Sequence, residues 1–140
     1  MSRHADVYTD GACTNQGLSG ARAGYGVYFG EDSQYNRSGR VVGPQDSNRG
    51  ELRAAQVAID SAKSQGLGSI TIHTDSQYVR DAVHGASGFQ SAGQNRDLMQ
   101  SIHDSVRTTG MRVNVELVKG HSNDAGNDAA HKLATQGAKQ

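Results

Sequence analysis

The order of strand and helix patterns constrains this chain more than any single residue does. Three strand-like stretches come first, at residues 7–9, 25–29 and 35–42, joined by short glycine-rich connections that favour antiparallel pairing, the first of them a turn over 10–24. A helix pattern runs over 49–65, where Leu52, Ala55, Ile59 and Ala62 fall three or four apart and Gly66 suits the C-terminal cap. Residues 70–74 alternate as a β-branched strand, 76–84 read as a short helix with Val79, Ala82 and Val83 inward, and 85–94 read as a loop. Leu98, Ile102 and Val106 mark a helix over 96–109, Val113, Val115 and Leu117 a last strand over 112–118, and Ala130, Leu133 and Ala134 a closing helix over 126–136. Turn-linked strands followed by helix-linked strands specify an α/β fold. The expected architecture is a five-stranded mixed sheet, three antiparallel strands first and then two parallel, with helices on both faces. A right-handed crossover carries the 70–74 strand beside the first one.

The chain of 140 residues fits one domain spanning 1–140. Fourteen basic and fourteen acidic residues cancel, so nucleic-acid binding would need a local patch or metal ions rather than a global positive field. The single cysteine, Cys13, excludes an internal disulfide and suits a reducing compartment. No apolar run approaches the ~20 residues of a membrane span, and the first residues lack the apolar core of a secretory signal. The expectation is a monomeric intracellular, cytoplasmic domain, free-standing or excised from a larger chain.

Three acids then stand out in Thr9-Asp10-Gly11, Arg49-Gly50-Glu51 and Thr74-Asp75-Ser76. Asp10 and Asp75 end strand patterns and Glu51 starts a helical one, and active sites of open α/β sheets lie at strand carboxyl ends. Carboxylates gathered at one place raise each other's pKa unless a cation neutralises them. A hard divalent ion such as Mg²⁺, which takes oxygen ligands and shares its shell with phosphates, fits that need.

At five ordered blocks the chain resembles the type 1 ribonuclease H family over nearly its whole length. They are Thr9-Asp10-Gly11-Ala12-Cys13, Ala21 to Tyr28, Asn48-Arg49-Gly50-Glu51-Leu52, Thr74-Asp75-Ser76-Gln77-Tyr78-Val79 and Val118-Lys119-Gly120-His121-Ser122. The resemblance implies a ribonuclease H-like fold and an enzyme that cuts the RNA strand of RNA–DNA hybrids with two Mg²⁺ ions, leaving 5′-phosphate and 3′-hydroxyl ends. It implies Asp10, Glu51 and Asp75 as metal ligands, with Asp10 bridging, and His121 as a mobile group assisting proton transfer and product release. The family's fourth acid is absent. Ten residues after His121 stands His131, as in some retroelement-type members, with Asp128 one helical turn earlier as the fallback ligand. An imidazole there removes one negative charge and favours Mn²⁺ relative to Mg²⁺.

Cys13, Asn15, Gln16, Asn48 and Gln77 lie beside the acids in sequence and are candidates for contacts in the hybrid's minor groove, with Asn95 a candidate for a DNA phosphate. The basic, Trp-containing helix of many members is replaced by residues 86–94, without Lys, Arg or Trp. Modest, salt-sensitive affinity follows, along with a role for an attached or partner domain in gripping substrate. Alternatives are a retroelement-derived or related nuclease domain of the same fold and a degenerate module that binds without cutting.

Overall fold

The computed structural model describes residues 3–85, 93–118 and 125–140. Its elements are β1 (His4–Thr14), β2 (Arg22–Tyr28), β3 (Arg37–Arg40), α1 (Ser47–Ser64), β4 (Ser69–Thr74), α2 (Gln77–His84), a 3₁₀ turn (Gly93–Asn95), α3 (Arg96–Thr108), β5 (Arg112–Leu117) and α4 (Ala125–Ala138). They form one five-stranded sheet in the order β3-β2-β1-β4-β5. The β3-β2-β1 half is antiparallel and the β1-β4-β5 half parallel, the mixed sheet expected from the order of patterns.

Residues paired across strands share a face, which sorts the sheet into two sides. Val7, Val27, Ile70 and Ile72 lie on one side and are fully buried against α1, α2 and α3, with Leu52, Ile59, Val79 and Ile102 supplied by those helices. On the other side α4 packs across β1, β2 and β3. Gly24 and Gly26 of β2 make that contact possible, since a Cβ on either would overlap the backbone of α4 near Ala130 and Ala134. Over β4 and β5 this side is left to polar residues: Thr71 and His73 are half-buried, and Arg112, Asn114 and Glu116 exposed.

Local signals account for the helix ends. Asp46 caps α1 by accepting from the Arg49 N–H at 2.8 Å, and Ser76 caps α2 by accepting from the Val79 N–H at 3.3 Å. Gly85 ends α2 at φ 72°, in the left-handed region that favours glycine.

The first strand departs from expectation. It does not stop before Asp10 but continues to Thr14, and β2 begins at Arg22 rather than Tyr25, so the turn is far shorter than 10–24. Asp10-Gly11 reads locally as a turn, yet Gly11 is extended. Its missing side chain lets the α1 backbone at Gly50 and Glu51 lie directly against the strand. β3 is also shorter than 35–42. Of the 85–94 loop, residues 86–92 lie outside the described residues.

Candidate active site

The parallel pairing of β1 with β4 brings Asp10 and Asp75 together. The last bridged pair is Tyr8 and His73, and the same register carried two residues on sets Asp10 opposite Asp75, where β4 has ended and the chain turns into α2. Asp10 is therefore inside a strand rather than at its end, but just past the point where its neighbour leaves the sheet. That opening exposes its carboxylate to a cleft. Glu51 arrives from the opposite side of the sheet on the first turns of α1. Gly50 permits this approach, because a Cβ there would sit 2.6 Å from the Gly24 carbonyl oxygen.

The three acids offer oxygens that all lie within 4.8 Å of one another, the one such group among the described residues. Asp10 and Glu51 are buried and Asp75 sits at the exposed rim. Burial pushes the Glu51 carboxyl well above the ordinary range, and Asp10 and then Asp75 push it further, while the Gly11 N–H opposes them. Asp75 is raised chiefly by partial desolvation and next by Asp10. Glu51 Oε2 is buried with no hydrogen-bond partner among the described residues. An orphaned acceptor and mutually repelling carboxylates are what a divalent cation would satisfy, so the donor set fits a hard metal.

His131 joins this group by a direct contact with Asp10. Its Nδ1 lies 2.9 Å from Asp10 Oδ2, while Asp10 Oδ1 accepts from the Gly11 N–H at 2.9 Å. The ring is 63% exposed and the Asp10 side chain 7%, so the histidine stands at the mouth over a sunken acid. The seating of α4 fixes this contact: Gly126 packs on the Tyr8 ring, with Ala130 and Ala134 buried on β2. Asp128 is exposed on the wall of the same cleft, which encloses about 330 Å³.

The other expected contacts are distributed unevenly. Gln16 is engaged within the protein, its Oε1 accepting from the Ser47 N–H at 3.0 Å and tying the β1–β2 turn to the start of α1. Cys13 is half-buried with Sγ 3.6 Å from the Gln45 carbonyl oxygen. Asn15, in the left-handed region at φ 56°, Asn48 and Gln77 are exposed. Asn95 is 5% exposed and its Oδ1 takes an Arg49 N–H at 3.4 Å, so it braces α3 against α1 rather than presenting itself at the surface. His121 lies outside the described residues. Three lining residues lie outside the predicted set: Gly11, whose backbone alone faces the cleft, and the polar Ser47 and Asn127. The two polar residues had a signal: Ser47 is one helical turn before Glu51, and Asn127 stands beside Asp128, the fallback ligand.

Fold and site together define a metal-binding α/β domain with an acid-floored cleft at the edge of a sheet pairing. The chain belongs to the RNase H family, whose profile matches residues 2–139. It is 34% identical to ribonuclease H1 of Rattus norvegicus over 148 aligned residues, covering all of this chain and 52% of that protein. It is 35% identical to ribonuclease H1 of Homo sapiens, covering 96% of this chain and 50% of that protein, so the chain spans about half the length of these curated relatives. Among solved structures it resembles LC9-RNase H1, described as a type 1 RNase H with the type 2 active-site motif, at a TM-score of 0.75 and 25% identity, covering 99% of this chain and 74% of that one. Among the described residues, no helix is long and apolar enough to cross a membrane.

Proposed function

We propose that this domain hydrolyses the RNA strand of RNA–DNA hybrids, leaving 5′-phosphate and 3′-hydroxyl ends. The observation that carries the reading is the convergence of Asp10, Glu51 and Asp75 within 4.8 Å, on the scaffold of this family. Asp10, Glu51, Asp75 and His131 would hold two Mg²⁺ ions, with Mn²⁺ an effective substitute. Such ions supply Lewis-acid polarisation of the scissile phosphate and a water of lowered pKa.

The chain's own groups do the rest. Buried Asp10 fixes the centre of the cleft, and its bond to the Gly11 N–H locks the carboxylate plane. Glu51, reaching in from α1, can accept a hydrogen bond from the ribose 2′-hydroxyl, the group that separates RNA from DNA. Ser47 and Asn127 line the same cleft and offer hydroxyl and amide groups to the sugar and phosphate. His121 would carry a proton to or from the reacting oxygens. Because residues 86–94 carry no Lys, Arg or Trp, we assign substrate grip in part to an attached or partner domain.

The deciding experiment is cleavage of an end-labelled hybrid with Mg²⁺ and Mn²⁺ supplied separately, beside all-DNA and all-RNA duplexes. Cutting confined to the RNA of the hybrid is expected, with a larger relative rate in Mn²⁺ than four-carboxylate relatives show. Hybrid binding without cutting in either metal would make this a binding module, and efficient cutting of all-DNA duplex would make it a DNA nuclease.

A further inference from the structure

The sheet face that α4 leaves open carries a second group of metal-ligating side chains. His73 of β4 places Nε2 2.9 Å from Asp6 Oδ1 on β1, and His4 places its own Nε2 3.8 Å from the same oxygen. The His4 ring is set by its other nitrogen, 2.7 Å from Ser69 Oγ, which leaves Nε2 facing Asp6, with Thr71 Oγ1 3.4 Å away. A hydrogen bond that holds one ring nitrogen and aims the other is the arrangement found behind metal-ligating histidines. His73 is held differently, stacked on Tyr8 with ring centroids 4.5 Å apart and planes 18° apart. The hydrogen bond from His73 is the largest influence holding the Asp6 carboxyl below its usual range, with both imidazoles contributing charge.

We propose that His4, Asp6 and His73 form a binding site for a borderline divalent cation such as Zn²⁺ or Co²⁺, separate from the acid cleft and selective against Mg²⁺. Two imidazoles and one carboxylate suit zinc, with a fourth position left for water. Mg²⁺ prefers oxygen donors and keeps its waters, so the pair of nitrogens excludes it. Asp6 now stands between the two rings, and only the three cleft acids are already gathered within 4.8 Å. Capture therefore takes a rotation of Asp6 out from between the rings and a tilt of His4 about its Ser69 hydrogen bond, which side chains 60% and 45% exposed have room to make. The site closes on its ion rather than waiting preformed. Asp6 is four strand residues from Asp10, roughly 13 Å along β1 at ~3.3 Å per residue, too far for one ion to serve both sites.

The test is calorimetric titration with Zn²⁺ in excess Mg²⁺, repeated by following the visible bands of tetrahedral Co²⁺. One equivalent of Zn²⁺ is expected to bind the unmodified protein and an Asp10→Asn, Glu51→Gln double variant alike. Affinity should fall at least tenfold in His4→Ala and in His73→Phe, which keeps a ring stacked on Tyr8. Mg²⁺-supported hybrid cleavage should be unchanged in His4→Ala, whose side chain lies outside the cleft. Because binding is read directly, the outcome does not depend on the hydrolase reading. Absence of a Zn²⁺ equivalent in excess Mg²⁺, its survival in both histidine variants, or its loss in the cleft double variant would each overturn the site.

Discussion

Glu51 is the side chain whose chemistry depends most on its neighbours. Burial first, then Asp10 and Asp75, hold its carboxyl well above the ordinary range, so the metal-free protein keeps a proton there at a pH where a free glutamate has lost it. A group whose pKa is raised by folding stabilises the folded state below its unfolded pKa, and that contribution is lost as pH rises through the folded value. Melting temperature without metal should thus decline as pH rises from the ordinary glutamate range through that elevated value, and divalent cation should restore it. Glu51→Gln should flatten the decline and raise stability at alkaline pH by roughly 1–3 kcal/mol, the cost of an uncompensated buried group, while abolishing cleavage. Identical melting profiles for the two proteins would refute this account. Asp10→Asn should leave the fold intact and reduce turnover to less than about a tenth of wild type, a barrier change above ~1.4 kcal/mol. His131→Ala should cost far more activity than Asp128→Ala, because the imidazole contacts Asp10 at 2.9 Å while Asp128 only lines the wall. His131→Asp should weaken the preference for Mn²⁺. Damage from Asp128→Ala with a silent His131→Ala would reverse the assignment.

At the scale of elements, the seat of α4 on β2 decides whether His131 reaches Asp10 at all. Gly26 has no room for a methyl group against the Ala130 carbonyl, so Gly26→Ala must push the helix outward, at a cost of about 1–3 kcal/mol for overpacking. Both the urea midpoint and hybrid cleavage should drop; a loss of stability with full activity would show that helix position is not limiting. This seat also marks where the sequence was hard to read. The helices were legible from periodicity, since Leu52, Ala55, Ile59 and Ala62 all prove fully buried, and so was the parallel neighbour of β1. The length of β1 was not, because Asp-Gly has the local signature of a turn and only the close approach of α1 explains why Gly11 stays extended. Asn95, a candidate phosphate contact by sequence, is buried for the same reason: its partner, Arg49, is distant in sequence, and so is Ser47, whose N–H donates to the exposed Gln16. The His4, Asp6 and His73 group depends on cross-strand register, which no local pattern encodes.

For the molecule as a whole, the cleft is well formed but the means of holding a long duplex are sparse, with no Lys, Arg or Trp across 86–94. Hybrid cleavage should therefore be limited by substrate capture. Tethering a hybrid-binding module through a flexible linker should lower KM by tenfold or more through effective concentration, leaving kcat within about twofold. A rise in kcat with KM unmoved would show that capture was not the bottleneck. The contact between His131 and Asp10 spans 121 positions in the chain, and it joins a central strand formed from the first residues to the last helix of the fold. Asp10 therefore stays without its imidazole until the first strand and the last helix of the fold have come together, so formation of the complete cleft reports global folding rather than any local step.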